Sequence, residues 1–101
     1  MKVVYTNQSL ESLEDGLRFL LEKQQVPFSK VKEIKMQLLD RVDDLLFNPY
    51  LGQVEEYLEG LNKEHRRLIE VNFKIIYRVE EPIIFVTDFF NTRQKPSKMK
   101  G

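Results

Sequence analysis

A chain of 101 residues, 42% of them apolar, is sized for one modest hydrophobic core, so residues 1–101 are expected to form a single domain. No run approaches the roughly 18 consecutive apolar residues of a membrane helix. Met1–Thr6 is too short for a leader's apolar region, and the absence of cysteine excludes a disulfide framework and thiolate chemistry, so a cytoplasmic location is expected. Lys and Arg balance Asp and Glu at 16 each, but residues 1–62 hold 7 basic against 11 acidic side chains and residues 63–101 hold 9 against 5. A basic C-terminal part beside an acidic N-terminal part suits an anionic partner.

In chain order, Val3-Val4-Tyr5 reads as a short edge strand that joins a later sheet. Asn7 or Ser9 is placed to cap a helix. Leu10, Leu13, Leu17, Leu20 and Leu21 then recur at helical spacing, which predicts a helix over residues 9–25. Gly16 within it weakens the helix or admits a close neighbour. Gln24–Pro27 breaks the pattern, because proline disfavours helix in the residue before it. A second helix is predicted over residues 29–47, capped by Ser29, with Val31, Ile34, Leu38, Val42 and Leu45 as its apolar stripe and Leu39 and Leu46 beside it. Two helices joined this closely form an antiparallel hairpin.

Asn48-Pro49 ends the second helix, and Tyr50-Leu51-Gly52 is a turn. Residues 53–58 read equally as a short strand or a loop. Three runs rich in β-branched and aromatic residues follow: Arg66–Val71, Phe73–Val79 and Ile83–Phe90. Asn72 and Glu80-Glu81-Pro82 punctuate them, which predicts an antiparallel meander. Alternation puts Phe73, Ile75, Tyr77 and Val79 on one face and Lys74, Ile76 and Arg78 on the other. The segregation of helices from strands gives an α+β class, with an N-terminal helical hairpin packed on an antiparallel sheet in the order β-α-α-β-β-β.

Most catalytic constellations are absent. His65 is the only histidine and there is no cysteine, so no zinc site is expected. The four glycines are isolated, which excludes a phosphate loop, and no cofactor is expected. The adjacent acids Glu55-Glu56 and Glu80-Glu81 would face opposite ways on an extended chain and are expected on solvated turns. What remains is a set of cations on and after the strands, with a basic tail over residues 95–101.

Arg67-Leu68, then Phe73-Lys74-Ile75-Ile76-Tyr77-Arg78-Val79, an apolar strand, and Thr92-Arg93-Gln94-Lys95-Pro96 together resemble the RelE/ParE superfamily of bacterial toxins. These are the toxin halves of type II toxin–antitoxin pairs, a group associated with plasmid stabilisation. The resemblance implies the same fold and a cognate antitoxin as partner. It leaves open a homodimer or a heterotetramer with the antitoxin, and involves no membrane.

In the ribonuclease branch of that superfamily, messenger RNA is cut on the ribosome by cations with a C-terminal tyrosine or histidine. Carried over to this chain, Arg67, Lys74 and Arg93 match basic positions and would be the catalytic set. Ile69 stands where a second basic residue is needed, and Met99 lies near the place of the terminal proton-transfer group. An isoleucine cannot stabilise a phosphorane, and a thioether moves no proton. The resemblance therefore favours the ParE-like branch, whose members act on DNA gyrase through a surface rather than an active site. The tail Lys95–Lys100 is a candidate for that surface. A non-toxic binding module that retains the fold and the antitoxin groove is a further alternative. The antitoxin is expected in an apolar groove built from Ile69, Ile76 and the first-helix leucines, with Arg67, Lys74, Arg78 and Arg93 as the partner-binding cations.

Overall fold

Thr6 ends the first strand and starts the first helix. Its extended backbone suits a β-branched residue, and its Oγ1 accepts the Ser9 N–H at 3.1 Å. The cap is thus Thr6, one residue before Asn7, and Ser9 falls within the first turn and donates its hydroxyl back to the Thr6 carbonyl at 2.7 Å. The computed structural model describes residues 1–101, with strand β1 over Lys2–Tyr5 and helix α1 over Asn7–Glu22. Gln25 takes a positive φ of 51° and reverses the chain ahead of Pro27. Helix α2 spans Phe28–Asp43 with Pro27 before it and no side-chain cap, so Ser29 lies inside the helix rather than at its end. A short 3-10 turn over Asp44–Leu46 extends it.

The remaining strands are β2 (Gln53–Val54), β3 (Arg66–Glu70), β4 (Phe73–Glu80) and β5 (Ile83–Asn91), in the sheet order β1-β5-β4-β3-β2. β3, β4 and β5 form the expected antiparallel meander. The sheet as a whole is mixed, because β1 lies parallel to β5, with Lys2 opposite Ile83 and Tyr5 opposite Val86. The helical hairpin and the meander separate β1 from β5 in the chain, so no tight turn imposes an antiparallel pairing. Residues 53–58 divide between the two readings: two residues pair as β2, and Glu56–Leu61 forms a 3-10 segment. No helix is long and apolar enough to cross a membrane.

Alternation along β4 sorts its side chains as expected, and both faces are covered. On one face Phe73, Ile75 and Tyr77 meet Leu13 and Leu20 of α1 and Ile34, Leu38 and Val42 of α2 in the main core. Helix α1 can approach because residue 16 is glycine: a Cβ there would stand 2.7 Å from Cε1 of Phe73. On the other face Ile76 and Phe90 are buried with Leu58 and Met99.

This corrects one expectation. Ile76 is not part of an open groove, because the 3-10 segment and the tail lie over it. The tail itself is not a free end: Pro96–Lys98 makes a 3-10 turn, Met99 is buried, and the Lys100 N–H donates to Asp88 Oδ2 at 3.0 Å. The pairing of β4 with β5 skips one residue at Thr87, so that Tyr77 faces Val86 while Ile76 faces Asp88. Such a bulge re-aims the side chains beyond it.

Candidate functional site

The cations of the sheet's outer face are organised by an acid. Glu55 is 2% exposed, and its carboxylate accepts Lys74 Nζ at 2.7 Å and the Tyr57 N–H at 3.1 Å, with Arg67 Nη1 at 3.7 Å. Arg67 also donates to the Val54 carbonyl at 2.6 Å and to Gln53 Oε1 at 3.2 Å. Glu55 caps the 3-10 segment, which is why it turns inward while its neighbour Glu56 stays exposed. Burial pushes the Glu55 carboxyl up. The Lys74 and Tyr57 bonds and the Lys74 and Arg67 charges outweigh that and hold it below its ordinary value. The expectation that Glu55 sits on a solvated turn is therefore wrong. Its backbone is extended, with φ −90° and ψ 108°, so alternation does set it opposite Glu56; what alternation cannot carry is that Lys74 and Arg67 lie on the side to which Glu55 turns.

The other cations are apart from this group. Arg78 lies 4.4 Å over the Phe85 ring and pairs with Glu80. Arg93 has its backbone N–H on Asn91 Oδ1 at 2.9 Å, and its side chain has no acidic partner and lines a cleft beside α1. The structure thus joins Arg67 with Lys74 but leaves Arg93 out of that pair. The groups able to move a proton are enclosed. Tyr77 is fully buried and its Oη accepts the Gly52 N–H at 2.8 Å. His65 is 1% exposed, and burial first, then the Arg78 and Lys63 charges, lower its pKa. Ile69 is on the surface at 61% exposure, and Met99 is buried. No group of three or more His, Cys, Asp or Glu side chains is placed to hold a metal ion.

The most apolar open feature lies on the helical hairpin, away from the sheet. A trough of about 690 Å³ runs between α1 and α2, lined by Leu17, Leu21, Phe28, Val31, Met36 and Leu39. A second hollow continues it towards Tyr5 and shares Leu17 and Leu39 with it. Phe28 and Met36 are 65% and 63% exposed, which is high for large apolar side chains. Arg18, Lys32 and Lys35 stand at its rim with Glu14 and Glu22. Leu17 and Leu21 of the first helix line this trough, and Ile69 and Ile76 do not. The sequence signal was available: Phe28, Met36 and Leu39 are apolar residues that the stripe of Val31, Ile34, Leu38 and Val42 does not need.

A polar cleft of about 440 Å³ lies between α1 and β5. β1 pairs only with Ile83–Val86, so the edge of β5 beyond Val86 has no strand beside it. Gln8 Nε2 donates to the Thr87 carbonyl oxygen at 2.9 Å, and Asp88, 2% exposed, accepts the Lys100 N–H. Burial raises the Asp88 pKa, and the backbone and Ser12 hydrogen bonds offset only part of that.

A raised folded pKa means that the native state holds this proton more tightly than the unfolded chain. Asp88 therefore costs stability as pH rises from its unfolded value of 3.8 through its folded value, and the cost is complete above that. Asp88→Asn keeps an acceptor for the Lys100 N–H and removes the buried charge. Thermal unfolding should show a higher Tm for the variant at about pH 7 and no gain below about pH 3.

The family model described as the ParE toxin of type II toxin–antitoxin system, parDE, matches residues 3–96 of this chain. Among solved structures, a chain of the chromosomal ParDE toxin–antitoxin system from P. aeruginosa is similar, with a TM-score of 0.72 at 17% identity over 90% of this chain and 95% of that one. A search of curated proteins gives no match.

Proposed function

This chain belongs to the ParE toxin family of type II toxin–antitoxin systems, and from that premise we propose that it inhibits DNA gyrase by binding and is neutralised by a cognate antitoxin. The observation that supports action through a surface is Glu55. A cation that stabilises a developing phosphorane must be free to face it. Lys74 and Arg67 instead face a buried carboxylate at 2.7 and 3.7 Å, and Met99, at the place of a terminal acid, is enclosed with Leu58 and Ile76. The protein acts in the cytoplasm as one domain over residues 1–101.

The antitoxin lays the apolar face of a helix in the trough between α1 and α2, the mode in which anchors at i, i+3, i+4 and i+7 fill an apolar groove. Its extended remainder runs over the sheet, where Arg67, Lys74, Arg78 and Arg93 form a basic rim. Arg93 offers that rim its full charge, because the other three already have acidic partners within the chain. The assembly is a heterotetramer built on the antitoxin or a toxin homodimer.

Induced expression of the chain alone should arrest growth with DNA breaks and filamentation while bulk messenger RNA stays intact. Co-expression of the antitoxin should relieve all of these. RNA decay without DNA breaks contradicts the proposal. Phe28→Glu places an acid in the trough at a 65% exposed position, so the fold tolerates it while a docked helix does not. Antitoxin affinity should fall by about thirtyfold or more, the loss typical of an interface anchor. Unchanged affinity in a titration would move the antitoxin off the hairpin.

A further inference from the structure

The polar cleft beside β5 has a chemistry distinct from that of the trough, although Arg93 also belongs to the basic rim and Lys98 and Lys100 to the tail. Arg93, Lys98 and Lys100 converge on it from the segment after β5, and none of the three has an acidic side chain within ion-pair distance. The acids nearby are already engaged. Asp15 pairs with Arg18 at 3.3 Å, and Asp88 is 2% exposed and receives the Lys100 N–H. Asn91 is 6% exposed and gives its Oδ1 to the Arg93 N–H, which leaves its amide nitrogen without a protein partner. On the α1 side the Phe19 ring lines the cleft at 44% exposure.

Three cations without an ion-pair partner, lining the cleft of about 440 Å³ together with Asp15 and Asp88 and next to an aromatic face, fit one kind of small molecule. The cations call for a phosphoryl group, which charge-assisted hydrogen bonds hold strongly. The exposed ring calls for a flat heteroaromatic body, because stacking a base on an aromatic side chain is favourable and tolerant of base identity. The volume is within the range of small-molecule sites. The bulge at Thr87 and the short β1 explain how the fold makes this space: the sheet edge past Val86 has no covering strand, and the tail folds back across it.

We propose that the cleft between α1 and β5 binds a nucleoside monophosphate, with the phosphate on Arg93, Lys98 and Lys100, the base against Phe19, and polar contacts from Asn91. The site is separate from the Arg67–Lys74–Glu55 group on the sheet and from the trough on the hairpin. The tail that carries two of its cations also buries its own Met99 against Ile76 and Phe90, so an occupied cleft fastens the tail to β5.

Calorimetric titration of the purified chain with adenosine monophosphate tests this, with guanosine monophosphate, adenosine and inorganic phosphate as further arms. Saturable binding of both nucleotides is expected between roughly 10 µM and 1 mM, the strength that a ligand of about twenty heavy atoms allows. Adenosine and phosphate should each bind at least about tenfold more weakly, because each lacks half of the contacts. Lys98→Gln should weaken nucleotide binding by about tenfold and make the remaining binding less sensitive to salt. Phe19→Ala should weaken adenosine monophosphate by about fivefold or more while leaving phosphate binding as it was. Circular dichroism of both variants establishes that they fold. No saturable nucleotide binding up to about 10 mM, phosphate binding as tightly as the nucleotide, or folded variants with wild-type affinity would each overturn the proposal. None of these results depends on whether the chain acts on gyrase.

Discussion

Gly52→Ala is expected to lower the stability of the fold by about 3 kcal/mol. A Cβ at residue 52 would stand 2.5 Å from the Arg67 carbonyl oxygen and 2.8 Å from Tyr77 Oη. The first of these is backbone, held in the sheet by the pairing of Arg67 with Ile76, so it cannot move aside cheaply. The second is the fully buried end of a side chain whose Oη accepts the Gly52 N–H at 2.8 Å. Arg66 Nη1 also donates to the Gly52 carbonyl at 2.7 Å. An added methyl therefore overpacks the site and pulls two hydrogen bonds out of line, one of them buried. Urea unfolding measures the loss. Gly60→Ala is the control: nothing lies within 4 Å of a Cβ there, and a change within about 0.5 kcal/mol is expected. Equal stabilities for the two variants would mean that the segment before β2 is loosely held.

Glu55→Ala is expected to cost about 2–3 kcal/mol, somewhat under the loss for a fully enclosed ion pair because Lys74 and Arg67 side chains keep 20% and 19% exposure and regain some hydration. The cost has a pH signature. The folded pKa of Glu55 is lowered from 4.5, so its contribution is fully present above that unfolded value and is lost as pH falls through the folded one. Chemical denaturation at about pH 7 and again at about pH 2.5 should show a large gap between wild type and variant that closes in acid. A gap independent of pH would mean that Glu55 stabilises by packing and not by charge. Because Glu55 tethers the 3-10 segment that carries Leu58, the variant should also expose Ile76, with faster amide exchange across β4.

The parts of the fold that were legible in the sequence are those decided by short-range periodicity. Val31, Ile34, Leu38, Val42 and Leu45 are all buried, and the three runs after His65 became β3, β4 and β5 nearly to the residue. Even Gly16, read as a place of close approach, meets Phe73. What was not legible depends on contacts between distant segments. The direction of β1 is set by its fit to β5, some eighty positions away, and no local signal carries it. The cover over Ile76 comes from Leu58, in a short segment with no clear period, and from Met99, a lone apolar residue in the basic tail.

The cations show the same division. Their residue types and strand face were readable from alternation, and Arg67 and Lys74 do meet. That they meet Glu55, and that Arg78 turns to Phe85 and Glu80, follows from three-dimensional placement. The trough on the hairpin was half visible. The first-helix leucines were expected in a groove, whereas Phe28 and Met36 on α2 were not.

The most direct test of the account uses purified protein in two parallel reactions. In one, the chain is added to DNA gyrase with supercoiled or relaxed plasmid and ATP; in the other, to ribosomes programmed with a defined messenger RNA. Supercoiling should be inhibited with accumulation of cleaved plasmid, the antitoxin should reverse this, and the messenger RNA should remain whole. Removal of general acid–base help costs about 10² to 10⁴ in rate, so residual cutting must be judged quantitatively against that scale. Rapid codon-positioned cleavage of the messenger RNA, with gyrase unaffected, would contradict the account and would return Arg67, Lys74 and Arg93 to a catalytic role.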